Sequence, residues 1–178
     1  NLLDEVTLPN IMNYLGNPNE LLTAPRLKRG LIIGDVQSGK TATYSGGHPI
    51  QCIIRHGESI WVATEGDGLF SLHPQTGMLK NYIHAEGTEN CISSNYVRSL
   101  ASDIYGRLWI GTFNGLDILD GEEITNIKSN PFTLGSLSQP SVRCIIKDNQ
   151  GGMWAGTWFG GINYWHPEKN RFRNIQRS

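Results

Sequence analysis

From about residue 50 onward, apolar residues come in short runs broken every few positions by glycine, aspartate, asparagine or proline. Many runs are rich in Ile, Val, Leu and Trp, the composition of short buried strands bounded by turns. None carries the 3.6-residue spacing of an amphipathic helix. The runs repeat. The segments SIWVATEGDGLFSLHP (59–74), RLWIGTFNGLDILD (107–120) and GMWAGTWFGGINYWHP (152–167) align on a tryptophan and a threonine. Upstream of them lie IQCIIRH (50–56), VRSLASD (97–103) and VRCIIKD (142–148), and downstream MLKNYI (78–83), EITNIK (123–128) and RFRNIQ (171–176).

Each unit therefore predicts four antiparallel strands, a to d, with a period of about 45 residues, that of a β-propeller blade. The predicted fold class is all-β: three four-stranded blades of an incomplete propeller at about 50–83, 97–128 and 142–176. In strand a, Ile50, Cys52 and Ile54 match Val97, Ser99 and Ala101, then Val142, Cys144 and Ile146. Alternation puts each such set on one face of its sheet. The apolar Ile53, Leu100 and Ile145 fall on the other, as expected of blades sandwiched between neighbours. Closed propellers have about four to eight blades, so the outer faces of blades one and three call for further blades of a longer protein or another copy of the chain.

Composition adds limits. Twenty-one glycines suit many tight turns, and 17% charged residues with a net charge of −1 give no basic footprint for nucleic acid. Three cysteines without C-x-x-C spacing argue against a disulfide framework or a zinc site. The five histidines fall in separate turns, so no metal site and no cofactor is expected. No apolar run is long enough to span a bilayer, no signal peptide is visible, and the first residue is Asn1, as in a piece of a longer protein.

The pattern L-W-I-G-T-x-x-G-L (108–116), preceded by V-x-x-x-x-x-D-x-x-G (97–106), resembles the two-component regulator propeller repeat. The resemblance covers about residues 48–178. Blade one departs at Ala63 and at its shorter a–b turn, His56–Gly57; blade three departs at Ala155 and Gly161. It implies the periplasmic sensing part of a hybrid two-component system, a receptor for oligosaccharides that signals to a histidine kinase. No kinase segment lies in this chain, so the expected fragment is a sensor and not an enzyme.

In an up-and-down blade the b–c turns and d–a loops share one end, and long loops on a rigid scaffold are where binding usually resides. Trp158 and Phe159 occupy the third b–c turn, where they either stack on sugar rings or pack against a neighbouring blade. Asn114, Glu65 and Asp67, in the other two b–c turns, could hydrogen-bond hydroxyls.

Residues 1–47 differ in composition and predict a short α/β or irregular segment. TLPNIMNYLGNPNELL (7–22) reads as a helix, and Gly34-x-x-x-x-Gly39-Lys40-Thr41 satisfies the P-loop pattern. There Gly34 and Gly39 would cradle phosphates, Lys40 would reach the β/γ oxygens and Thr41 would bind Mg²⁺. RGLIIGDVQSGKTATYSG (29–46) resembles the P-loop start of a Z-one-type endonuclease domain. The phosphate-facing helix such a loop requires is broken early by Gly46-Gly47-His48-Pro49. A P-loop NTPase or endonuclease fragment fused to a propeller is the enzymatic alternative, and a protein-interaction scaffold is the third reading.

Overall fold

The computed structural model describes residues 30–35, 40–45, 48–133, 135–169 and 172–175. The first two segments form a hairpin, β1 (Gly30–Asp35) and β2 (Lys40–Ser45), followed by three four-stranded sheets. Blade one is β3 (Ile50–His56), β4 (Ser59–Thr64), β5 (Leu69–Leu72) and β6 (Leu79–Tyr82). Blade two is β7 (Val97–Ser102), β8 (Leu108–Thr112), β9 (Gly115–Asp120) and β10 (Glu123–Ile127). Blade three is β11 (Val142–Lys147), β12 (Met153–Thr157), β13 (Ile162–Trp165) and β14 (Phe172–Ile175). Each sheet is an antiparallel meander in chain order, and β7 lies against both β3 and β11. The first strand of each blade is thus its inner strand. Among the described residues there is no helix.

Two hydrophobic clusters join the blades. Trp61, Ala63 and Leu69 of blade one, with the partly buried Cys52, Ile54 and Tyr82, meet Val97, Leu100, Leu108, Ile110, Leu119 and Ile124 of blade two. Trp109, Leu116 and the partly buried Ala101, Ile118 and Ile127 of blade two meet Val142, Ile145, Met153, Ala155, Trp165 and Phe172 of blade three. The tryptophan faces of blades one and two therefore each receive the next blade, and blades two and three dock on the previous one through their opposite faces. Gly111 explains one term of the repeat motif: a Cβ there would sit 2.9 Å from Val142 Cγ1, so only glycine admits the next inner strand so closely. Beside it, Ser99 Oγ accepts the Ile145 N–H at 2.9 Å, a hydrogen bond between neighbouring blades.

The motif aspartate closes the a–b turn. Asp103 accepts hydrogen bonds from the Tyr105 and Arg107 amides, from Arg107 Nε at 2.7 Å and from the Trp109 indole N–H at 2.9 Å. Gly106, at φ 77°, supplies the left-handed residue this turn needs. Asp148 repeats the arrangement with Gln150, Gly152 and Trp154. Blade one has no such aspartate, and Trp61 Nε1 donates instead to the His56 carbonyl at 3.3 Å.

Strand a departs from simple alternation. The ladder skips a residue between Ile50 and Cys52, between Val97 and Ser99, and between Val142 and Cys144. Gln51, Arg98 and Arg143 are the extra residues of three equivalent β-bulges. An extra residue inverts the phase of the side chains beyond it. Val97 and Leu100 therefore share the face toward blade one, while Ala101 packs toward blade three. Likewise Ile50 packs with Val62 and Phe70, but Cys52 and Ile54 pack on the opposite side. The i, i+2, i+4 grouping expected for strand a is thus corrected.

The N-terminal segment is described at residues 30–35 and 40–45. Where a P-loop requires a helix, β2 runs antiparallel to β1, with Gly34 opposite Thr41 and Asp35 opposite Lys40. The β-branched and aromatic content of Thr41, Thr43 and Tyr44 favours a strand. Gly39 and the helix expected at 7–22 lie outside the described residues.

One buried carboxyl sets a pH dependence. Asp117 on β9 is fully buried and accepts hydrogen bonds from the Ser93 amide at 2.8 Å, Ser93 Oγ at 3.0 Å and Asn126 Nδ2 at 2.8 Å. Burial outweighs these bonds and raises its pKa to about 6. In blade three the matching position is Asn163, whose Oδ1 accepts the Ser138 amide in the same way. Asp103 behaves oppositely: burial pushes its pKa up, but the hydrogen bonds from Trp109, Arg107 and Tyr105 together hold it below the usual value. Asp103 contributes stability above the unfolded carboxyl pKa of about 4 and loses it on acidification through its depressed native value. Asp117 contributes stability while protonated, fully below about 4, and loses it as pH rises through about 6. Asp117→Asn should abolish the decline in melting temperature between about pH 4 and 6 and leave the acid limb in place. A shift of that size is worth on the order of 3 kcal/mol at neutral pH. Thermal melts across pH check it, and an unaltered profile would refute the assignment.

Candidate functional site

Three b–c turns, built alike, stand at one end of the blades. In each, a threonine hydroxyl donates across the turn to a glycine carbonyl: Thr64 to Gly68 at 2.7 Å, Thr112 to Gly115 at 3.1 Å, and Thr157 to Gly161 at 3.1 Å. The residue after each threonine donates its amide to the residue just before the inner strand: Glu65 to Pro49, Phe113 to Tyr96, and Trp158 to Ser141. These bonds hold Glu65, Phe113 and Trp158 at equivalent places beside the bulged residues Gln51, Arg98 and Arg143.

The side chains then form a continuous chain across the blades. Gln51 Nε2 donates to Glu65 at 2.9 Å, and Glu65 bridges to the backbone of Tyr96. The Tyr96 ring lies 6.2 Å from that of Phe113. Arg98 sits between Phe113 and Trp158, its guanidinium 5.3 Å and 5.6 Å from the two ring centroids, while Nη1 donates to Ser141 Oγ at 3.1 Å. Arg143 lies 4.2 Å from the Trp158 centroid. Such cation–π contacts are worth about 0.5–1 kcal/mol at exposed sites. Burial lowers the pKa of Arg98, the positive charge of Arg143 lowers it further, and Glu65 opposes both.

The residues expected from sequence are distributed as follows. Trp158 is half exposed and its ring engages both arginines, so its role is to hold two guanidinium groups as well as to offer a surface. Phe159, 85% exposed and edge-on to Trp158 at 5.7 Å, is the freer aromatic. Asn114 is exposed beside Phe113, its amide donating to Thr112 Oγ1. Glu65 belongs to the chain described above. Asp67 lies further out in the first turn, bonded to His48 Nδ1 at 2.8 Å. Gln51, Tyr96, Arg98 and Arg143 were missed from sequence. The recurrent Val-Arg pairs 97–98 and 142–143 were the available signal, and only the bulge shows why they matter.

Tyr96, Arg98, Phe113, Asn114, Arg143, Trp158 and Phe159 fall within the parts of the chain that match a known family, whereas Gln51, Glu65 and Asp67 lie outside them. Residues 91–114 and 136–159 match the two-component regulator propeller. The chain is 25% identical to the extracellular domain of BT3049 from B. thetaiotaomicron, assigned to the hybrid two-component systems, with a TM-score of 0.58 over 73% of this chain and 17% of that one. It is 26% identical to the corresponding domain of BT4673 from the same organism, with a TM-score of 0.54 over 71% of this chain and 16% of that one. The chain thus spans a small part of the domains it matches. Virginiamycin B lyase from Staphylococcus aureus shares the fold alone, at 14% identity and a TM-score of 0.52, covering 79% of this chain and 47% of the lyase. No curated protein matches the chain in sequence. The family match and the two extracellular domains therefore point alike to the propellers of two-component systems.

Trp158 and Trp109 should separate turn from core. Trp109→Ala, at a fully buried indole, should cost about 3–5 kcal/mol, whereas Trp158→Ala should cost about 1 kcal/mol. Urea denaturation of both variants tests this, and equal losses would mean that the Trp158 turn is part of the core.

Proposed function

We propose that this chain is part of the ligand-sensing propeller of a two-component signal-transduction protein and that its ligand is an oligosaccharide bound at the b–c turn end. The observation that carries this reading is the coincidence of two independent features. The segments matching the two-component regulator propeller are the same ones that supply Tyr96, Arg98, Phe113, Arg143, Trp158 and Phe159. Exposed aromatic rings suit the apolar faces of sugars, and Asn114 and Glu65 supply hydroxyl partners. The two similar extracellular domains support a position outside the inner membrane, in the periplasm. The coupling of such a sensor to a histidine kinase belongs to the same proposal. In isothermal titration against a panel of neutral and acidic oligosaccharides, at least one should bind, and Phe159→Ala should weaken it by about tenfold or more, near 1.4 kcal/mol. Absence of binding across the panel would defeat the oligosaccharide reading.

The same proposal assigns a partner to the open face of blade three. Cys144, Ile146, Trp154, Tyr164, Ile162 and Ile175 occupy the positions that in blade two receive the next blade, yet Ile146 is 63% exposed. The equivalence of the repeats makes the fitting occupant a further blade of this kind, and the greater length of the similar extracellular domains leaves room for one. Without it, the chain should self-associate through this face. Ile146→Glu should then lower the sedimentation-derived association while leaving the melting temperature within a few degrees. A parent chain that stays monomeric at all concentrations would contradict the assignment.

A further inference from the structure

Arg98 and Arg143 converge on one indole ring without a carboxylate partner. Their guanidinium carbons lie 5.6 Å and 4.2 Å from the Trp158 centroid. Among the described residues, no Asp or Glu oxygen comes within 4.0 Å of either, the ion pairs being His48–Asp67, His73–Glu58, Lys80–Glu122, Arg107–Asp103 and His166–Glu168. Glu65, the carboxylate that acts on Arg98, is hydrogen-bonded to Gln51. Ser141 Oγ takes one of the donors of Arg98, and Arg143 is exposed. Each guanidinium carries five N–H donors. The site thus holds two adjacent positive charges with most of their donors uncommitted.

Like charges so placed repel one another, and Arg98 is partly withdrawn from water, which strengthens the repulsion. The geometry nevertheless fixes them: the bulges present both arginines from equivalent points of adjacent inner strands, and Trp158 lies under both. An anion lying against the pair would relieve the repulsion and receive charge-assisted hydrogen bonds, bidentate ones where its oxygens are paired. A hydroxyl would gain far less. Phe159, 85% exposed, lies edge-on to Trp158 at 5.7 Å as an apolar platform, and the exposed Asn114, next in sequence to Phe113, offers a donor and an acceptor.

We infer that Arg98 and Arg143, held on Trp158, form an anion subsite that selects an acidic oligosaccharide, one carrying a carboxylate or a sulfate ester, over its neutral counterpart. This rests on the oligosaccharide reading given above and narrows it to a substrate class.

The test uses the whole 178-residue chain and four probes: tetragalacturonic acid, its fully methyl-esterified form, and a galactotetraose with and without a single sulfate ester. The expected result is that at least one anionic probe binds about tenfold or more tightly than its neutral twin. Its affinity should fall as salt rises, and Arg143→Gln should lose most of that preference. Arg143 is exposed and makes no hydrogen bond to the described residues, so this variant should fold normally, which a circular dichroism melt verifies. Which of the two acidic probes binds distinguishes carboxylate from sulfate. If neutral and acidic twins bind equally, or Arg143→Gln keeps the preference, the anion subsite is refuted while the oligosaccharide reading stands. If none of the four binds but another neutral oligosaccharide does, the outcome is the same. If no sugar of either kind binds, both fall together.

Discussion

The burial of Trp109 between two blades is the contact on which the rest of this structure depends. Its ring packs 5.3 Å from that of Trp165 and 6.0 Å from that of Phe172, and its indole N–H ends on the carboxylate of Asp103. A single side chain thereby joins the a–b turn of its own blade to the third and fourth strands of the next. A tryptophan can be buried there because its one polar atom has a partner; an unpaired indole N–H would cost part of the gain from burial. The packing also demands close approach, which is why Gly111 lies beside it and why Ser99 can bond across to the β11 backbone.

That blade-on-blade contact fixes the inner strands next to one another, and the bulges then decide what those strands present. A regular strand would send Arg98 and Arg143 into the apolar seam between blades, where neither could be ionised cheaply. The extra residue lets the seam remain apolar on both sides while the two arginines leave the ladder at equivalent points. The site is therefore a by-product of the repeat: the same local defect, made three times, yields Gln51, Arg98 and Arg143 at one end of adjacent blades. Differences among the blades give it direction. Blade one offers Gln51 hydrogen-bonded to Glu65, whereas blades two and three offer arginine and aromatic rings.

Much of this was legible beforehand. The tryptophan, threonine and glycine positions recur in register, so strand order and the limits of each blade follow from period alone. Trp158 and Phe159 were recognisable because large aromatics at a turn are unusual. Arg98 and Arg143 were not, because alternation assigns them to an ordinary strand face and an arginine on a strand has no distinctive signature. Asp117 shows the same limit: it reads as a polar residue near a turn in L-D-I-L-D, yet it is fully buried and its partners Ser93 and Asn126 come from either side of it in the chain. The P-loop pattern is legible in residue types alone, and beyond the undescribed residues 36–39 the chain continues as β2.

By itself, then, the sequence determined the blade: four short strands, their turns, and the tryptophan that seeks a neighbouring sheet, because these depend on contacts within about 45 residues. What only the tertiary structure decided was which residues leave the regular ladder and what they meet. A bulge is one residue of mismatch between two paired strands, so it exists only in the pairing. The convergence of Arg98 and Arg143 on Trp158 requires two blades to be docked at one angle, and that angle is set by the apolar surface each blade buries against the next.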